Sequence, residues 1–190
     1  ILGDNLFYGD TLTEQINRGF TNTKGATIFA YRVNDPSGYG VVNFSNDGKV
    51  ISLEEKPKIP KSPYAITGLY FYDETIVERS KEITPSLRGE LEITDLNKQY
   101  LKEGLLNVEV MGRGTAWMDT GTPDSLYAAG GFIRTLEKRQ GLKIGCPEEV
   151  AWRLGWINNE QLECLADPQK NNEYGKYLQK LLLEQFSDYI

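Results

Sequence analysis

The 190 residues contain no histidine. That absence removes Ser-His-Asp and Cys-His nucleophilic machinery, histidine-ligated zinc and histidine general bases together. Any chemistry has to use carboxylates, lysine, arginine and hard metal ions. Cysteine is nearly absent as well. Cys146 and Cys164 stand far apart without Cys-x-x-Cys spacing, a pattern that predicts two reduced, buried thiols in a reducing compartment rather than a zinc site or a disulfide framework. Long apolar runs are missing: even Ala65 to Tyr72 falls far short of a bilayer span. The first residues carry no basic stretch leading into an apolar signal segment, and the expected location is the cytoplasm. Positive charge is also in short supply, with 21 Lys and Arg against 27 Asp and Glu for a net charge of −6. That balance argues against a nucleic-acid surface, which displaces counterions with clustered cations. A small phosphorylated substrate stays open, because it needs only one or two placed cations.

What is present reads as an α/β protein. The composition, 39% hydrophobic and 25% charged, suits one globular domain with a short extension. Ile1-Leu2-Gly3-Asp4-Asn5 reads as the end of a buried strand entering a loop, so the chain is expected to begin in mid-domain. Asp10 is placed to cap a helix whose apolar positions Leu12, Ile16 and Phe20 recur every four residues. Thr27 to Val33 is strand-like. Val41 to Phe44 and Lys49 to Glu55 flank Ser45-Asn46-Asp47-Gly48, which predicts a hairpin. Tyr64 to Tyr72, aromatic and β-branched, is the best buried strand. Helices are expected around Glu74 to Lys81 and Leu91 to Lys102, a strand at Asn107 to Met111, and a helix from Pro123 to Arg139. After Gly141 the strand signals stop, and Pro147 to Leu154, Glu160 to Leu165 and Tyr174 to Phe186 read as helices. The expected division is 1–140 for the α/β part and 141–190 for a helical appendage serving oligomerisation or regulation.

Several groups invite chemical readings. Asp4 and Asp119 each follow an apolar segment and lead into a loop, where ligands collect in α/β sheets, and magnesium often takes only one or two protein carboxylates. The plainer alternative makes Asp4 a turn former and Asp119 a helix cap. Glu55-Lys56 at a strand end is a second candidate, with surface charge as its ordinary explanation. Arg88, in a loop before a helix, has the fork to grip a phosphate or is merely solvated. Ser37-Gly38-Tyr39-Gly40 lets backbone approach a ligand, or is a plain turn. Ala128-Ala129-Gly130-Gly131 sits inside a helical pattern, where packing against another helix is the better reading than a phosphate loop.

In this order the segments resemble the sugar-phosphate nucleotidylyltransferases, and most closely their glucose-1-phosphate thymidylyltransferase branch. The resemblance is carried by Leu2-Gly3-Asp4-Asn5-Leu6-Phe7-Tyr8-Gly9, Tyr39-Gly40-Val41-Val42, Leu53-Glu54-Glu55-Lys56-Pro57, Thr67 through Asp73, Arg88-Gly89-Glu90-Leu91-Glu92-Ile93-Thr94-Asp95, and Gly112-Arg113-Gly114 through Trp117-Met118-Asp119-Thr120-Gly121-Thr122. It implies a Rossmann-like mixed sheet of the nucleotide-diphospho-sugar transferase type, truncated at its N-terminus, plus a small C-terminal helical region. By the same resemblance Asp4 and Asp119 coordinate Mg2+, while Lys56 and Arg88 hold the sugar phosphate. These four form the implied catalytic set. Asn5, Tyr39, Gly40, Glu55, Ile66 and Tyr70 line the implied sugar pocket, Trp117 packs beside it, and Gly114 to Trp117 is the strand that delivers Asp119.

The implied reaction is in-line attack by an oxygen of glucose 1-phosphate on the α-phosphorus of dTTP, giving dTDP-glucose and pyrophosphate. It needs no protein nucleophile, in keeping with the missing histidine. The resemblance further implies a homo-oligomer, a tetramer, that binds neither nucleic acid nor membrane, with a regulatory nucleotide site near Tyr8, Gly9, Arg113, Ile144, Val150 and Arg153. The implied destination of the product is dTDP-rhamnose and cell-surface polysaccharide synthesis. The family's Gly-Gly-x-Gly-Thr-Arg-Leu loop, which handles the nucleotide, does not occur in these residues, so the chain alone is expected to be inactive. Gly38 stands where the family usually carries arginine, and Gly130-Gly131 replaces better helix formers at about 1 kcal/mol per glycine. Two alternatives remain: a related enzyme using UTP, GTP or ATP, and a non-catalytic sugar-phosphate-binding module.

Overall fold

Runs of β-branched and aromatic residues alternate with helical segments, and the resulting strands assemble into a mixed sheet. The computed structural model describes residues 1–183. It divides into two compact units, one reaching Leu126 and the other starting at Tyr127.

In the first unit, β2 (Ala26–Arg32), β3 (Gly40–Phe44), β4 (Val50–Glu55), β5 (Tyr64–Tyr72) and β6 (Leu106–Val110) form one sheet in the order β4-β3-β5-β2-β6. β5 pairs antiparallel with β2 and with β3, while β6 runs parallel to β2. Because successive side chains alternate across a strand, β2 feeds two cores. Ile28 and Ala30 join Val42, Leu53 and Ile66 on one face. Phe29 joins Leu69 and Met111 on the other, backed by Leu12 and Ile16. Those last two belong to α1 (Leu12–Thr21). The helices α2 (Ile76–Lys81) and α3 (Ile93–Lys102) lie between β5 and β6 in the chain, and Leu96 and Tyr100 of α3 pack on Ala26.

Two expectations fail here. Phe20 is not on the buried side of α1: it is 71% exposed, and Gln15 and Gly19 are buried instead. A Cβ at Gly19 would lie 2.8 Å from the Phe71 ring and 3.1 Å from Phe29, so the helix comes closest to the sheet along its glycine. Phe20 is left edge-on to Phe71, with ring centroids 6.4 Å apart. Ile1 and Leu2 do not end a buried strand either, being 79% and 49% exposed. The strand is β1 (Asn5–Tyr8), and it pairs antiparallel with β7 (Ala116–Asp119) in a separate two-stranded sheet. Its partner, distant in sequence, decides which residues are strand.

The second unit is helical. It holds most of α4 (Pro123–Gln140), then α5 (Pro147–Arg153), α6 (Asn159–Ala166), a short 3-10 turn at Asp167–Gln169 and α7 (Glu173–Leu183). The expected border at 140/141 falls after α4, whereas the packing divides within that helix. Its C-terminal half is tied to the residues that follow, through Glu137 with Lys143 and with the Ile144 amide. Cys146, Leu162, Ala166, Tyr177, Leu178 and Leu181 form the core. Asn158 and Gln161 close a reciprocal capping box at the start of α6. Cys146 is buried as expected, but Cys164 is exposed, since the α6 face that enters the core carries Leu162 and Ala166. A Cβ at Gly130 or Gly131 would meet nothing within 4 Å, so among the described residues no neighbouring helix packs on them. Of the expected helix Tyr174 to Phe186, residues 184–186 lie outside the described residues.

Candidate active site

Antiparallel pairing of β1 with β7 sets Asn5 opposite Asp119, and this register brings Asp4 and Asp119 together from positions 115 residues apart. The Thr120 amide and hydroxyl donate to the Asp4 carbonyl at 2.7 and 2.8 Å, locking the two chain segments at this point. The Gly121 amide donates to Asp119 Oδ1 at 3.0 Å. A Cβ on Gly121 would lie 3.1 Å from Asp119 Oδ1 and 3.6 Å from Asp4 Oδ2, so both carboxylates border one small volume that only a glycine leaves open.

Beside them runs a cleft of about 200 Å³ in the first unit. Asp4, Asn5, Tyr39, Gly40, Glu55, Lys56, Ile66, Tyr70, Trp117 and Asp119 all line it. Each strand contributes by its register: Gly40 faces Glu55 across the β3–β4 hairpin, and Ile66 and Tyr70 come from β5. Gly40 allows a close approach, since a Cβ there would sit 2.8 Å from Thr94 Oγ1 and 3.1 Å from Ile66 Cδ1. The Trp117 ring stands edge-on to Tyr39 at 5.1 Å and to Tyr31 at 5.8 Å. Burial pushes the Tyr39 hydroxyl pKa up, with the charge of Asp119 adding to it. Burial raises Tyr70 likewise, seconded by Glu55. Both phenols therefore stay protonated donors at neutral pH.

Lys56 has a backbone φ of +40° and is the only non-glycine with positive φ among the described residues. Holding a lysine there costs on the order of 1 kcal/mol. Its amide donates to the Tyr39 carbonyl at 3.0 Å, which ties the end of β4 to the loop that carries Tyr39. No described carboxylate pairs with its ammonium. Arg88 is different. It does not line the cleft, and its guanidinium is shared among Glu90 at 2.9 Å, Glu92 at 3.3 Å and Glu55 at 3.7 Å. It reaches the cleft only through Glu55.

Gly38, of the tetrapeptide that lets backbone approach a ligand, also lines the cleft, as do Leu2, Gly68, Ile93 and Thr94, to which sequence reasoning gave no role. Thr94 is buried and donates its hydroxyl to Glu55 Oε2. Leu2, Gly68, Ile93 and Thr94 stand inside the motifs quoted above, and those motifs were the available signal. Of the residues implied in regulation, Tyr8, Gly9 and Arg113 belong to the first unit, and Arg113 borders a separate groove with Tyr31, Arg32 and Tyr64. Ile144, Val150 and Arg153 belong to the second unit. Arg153 is held by Glu149 at 2.8 Å.

Two aspartates suit a small hard cation. Among the described residues no group of three or more His, Cys, Asp or Glu side chains gathers as a metal site, so these residues offer no closed, fully protein-built cage. Magnesium fits such an open pair, because it prefers oxygen donors and keeps several positions for water and phosphate. No described helix is long and apolar enough to cross a membrane.

Residues 1–135 match the family model described as nucleotidyl transferase. The chain belongs to the nucleotidyl transferase family. It is 51% identical over 182 residues to the glucose-1-phosphate thymidylyltransferase of Neisseria meningitidis, covering 96% of this chain and 63% of that protein. To the enzyme of the same name from Mycobacterium tuberculosis it is 55% identical, with the same coverage of both chains. It thus spans about 63% of the length of these curated relatives. Among solved structures, a Bacillus anthracis glucose-1-phosphate thymidylyltransferase in complex with sucrose aligns with a TM-score of 0.61 at 45% identity, over 70% of this chain and 52% of that one. A UDP-glucose pyrophosphorylase complexed with UDP-glucose aligns with a TM-score of 0.60 at 20% identity, over 71% and 55%, and shows the nucleotidyl transferase fold alone.

Proposed function

We propose that the cleft of this nucleotidyl transferase chain is the sugar-phosphate site of a glucose-1-phosphate thymidylyltransferase, and that the whole protein transfers a thymidylyl group from dTTP to glucose 1-phosphate. In that reaction a phosphate oxygen of the sugar phosphate bonds to the α-phosphorus, the bond to the β-phosphate breaks, and dTDP-glucose and pyrophosphate result. The observation that carries the reading is the meeting of Asp4 and Asp119, in one cleft, beside Lys56, with which no described carboxylate pairs. The relatives' names supply the substrates.

Charge explains why a cation belongs here. The cleft holds Asp4, Asp119 and Glu55 against Lys56 alone, and a phosphate dianion entering it meets net repulsion. Asp4 and Asp119 would hold magnesium, which would supply positive charge for the phosphate groups at that point. Lys56 supplies a charge-assisted contact to the sugar phosphate. Glu55, fixed by Thr94 and Arg88, accepts from sugar hydroxyls, and the protonated Tyr70 donates nearby. Thymidylyl transfer, a cytoplasmic location and homo-oligomers belong to the same proposal.

Calorimetric titration of the chain with glucose 1-phosphate, with and without magnesium, tests it. The expected result is binding that strengthens when magnesium is present. Absence of binding under both conditions overturns the assignment.

A further inference from the structure

Two helices of the second unit carry positive charge at matching intervals. Gly130, Arg134, Glu137, Lys138 and Gly141 share one face of α4, because residues three and four apart are neighbours on a helix. Glu173, Lys176, Tyr177 and Lys180 share one face of α7 for the same reason. Both faces line a single groove of about 620 Å³. Glycine keeps it open on the α4 side, since a Cβ at Gly130 would meet nothing within 4 Å. At Gly141 the chain turns with φ of +71°, and Lys180 Nζ lies 3.8 Å from where a Cβ would stand.

With Lys143, the groove gathers five cations against the carboxylates Glu137 and Glu173, a net of +3. Residues 127–190 hold eight Lys and Arg in all, so most of the positive charge in that stretch faces one volume. Glu137 is already taken by Lys143 at 2.7 Å. No described carboxylate pairs with Arg134, Lys138 or Lys176. Like charges gathered in this way repel one another, and an anion seated among them removes that cost.

We propose that this groove binds an inorganic polyphosphate, pyrophosphate or longer. Arg134 and Lys138 stand one helical turn apart, as do Lys176 and Lys180, with Cβ atoms about 5–6 Å from each other. Two such rows match charge spread along a chain of phosphates better than charge held on one phosphate. Arg134 offers a fork to phosphate oxygens and the lysines offer point charges. These four side chains are exposed, so an anion reaches them from solvent. The groove presents no free aromatic face for a base: Tyr177 is 7% exposed and donates its hydroxyl to Glu149. No residue that lines the cleft lines the groove, and neither do Tyr8, Gly9, Arg113, Ile144, Val150 or Arg153.

Calorimetry of the chain in magnesium-free buffer tests the site with tripolyphosphate, pyrophosphate and orthophosphate. Tripolyphosphate is expected to bind most tightly and orthophosphate most weakly. Lys138→Gln combined with Lys176→Gln should weaken tripolyphosphate binding roughly tenfold or more. Lys56→Gln, in the cleft, should leave it unchanged. Gly130→Leu fills the groove without removing charge; it should weaken binding as well, and it decides the matter if the double variant fails to fold. Absence of tripolyphosphate binding overturns the proposal, as does binding that survives the double variant or is lost in Lys56→Gln. Orthophosphate that binds as tightly as tripolyphosphate overturns the reading of a phosphate chain. dTTP is the last arm: if it binds more tightly than tripolyphosphate and depends on Lys138 and Lys176, the groove reads a nucleotide and the proposal falls.

Discussion

The two units differ in what some of their carboxylates face. In the helical unit three glutamates are engaged by neighbours: Glu149 takes both Arg153 and the Tyr177 hydroxyl, Glu148 takes the Tyr174 hydroxyl, and Glu137 takes Lys143. In the sheet unit, Asp4 and Asp119 border a shared volume and Lys56 has no described carboxylate partner. Partnered charge stabilises a fold, whereas charge left open toward a cavity waits for a ligand. In the first unit the cleft therefore carries the proposed chemistry, whereas these glutamates of the second unit hold its own fold.

The comparison breaks most sharply at Asp119. Asp119→Ala removes one of two carboxylates and is expected to abolish the strengthening of glucose 1-phosphate binding by magnesium. Calorimetry measures this directly. The thermal midpoint should barely move, because the carboxylate makes one local hydrogen bond, to the Gly121 amide. An unchanged magnesium effect would show that the pair is structural, like the pairs of the helical unit.

Leu178→Ala asks the converse question. Leu178 is fully buried in the helical core, and its truncation should cost about 2–5 kcal/mol, read as early unfolding followed by Trp152 fluorescence. Sugar-phosphate binding in the first unit should persist below that transition. In the cleft itself, Gly40→Ala places a methyl 2.8 Å from Thr94 Oγ1. The expected result is weaker glucose 1-phosphate binding together with roughly 1–3 kcal/mol of overpacking, read by calorimetry and urea melts.

Legibility in the sequence followed the distance over which each feature is decided. β5 was readable from Tyr64 to Tyr72, and the β3–β4 hairpin from its turn residues, because local propensity and alternation settle both. β1 was misplaced because its register is set by β7, more than a hundred residues away. The buried face of α1 was misread because a hydrophobic pattern favours Phe20, while close packing chose Gly19. For the cleft, residue types and family motifs pointed to Asp4, Asp119, Glu55 and Lys56. They could not show that Arg88 is engaged by three glutamates, that Thr94 holds Glu55, or that Asn5 turns its amide to Asp4, Gly68 and Trp117. The contacts of Arg88 and Thr94 with Glu55, and of Asn5 with Gly68 and Trp117, join segments distant in sequence, which no local pattern encodes.

The smallest expected effect compares one ion pair from each unit. Burial acts to raise the Glu137 carboxyl pKa, but the Lys143 ammonium and the Ile144 amide outweigh it and hold the group below its ordinary value. A carboxyl depressed in this way contributes stability above its unfolded pKa of about 4.3, and that contribution disappears as the pH falls through the folded value. The Lys143 and Glu137 side chains are 26% and 19% exposed, against 44% and 33% for Lys98 and Asp95 in the first unit. Solvent therefore screens the second pair more. Lys143→Met should cost up to about 1 kcal/mol near pH 7, and the loss should shrink toward zero as the pH drops below 4. Lys98→Met should cost less throughout. Urea unfolding at a series of pH values measures both, and a pH-independent penalty for Lys143→Met would assign its effect to lost packing of the lysine stem rather than to charge.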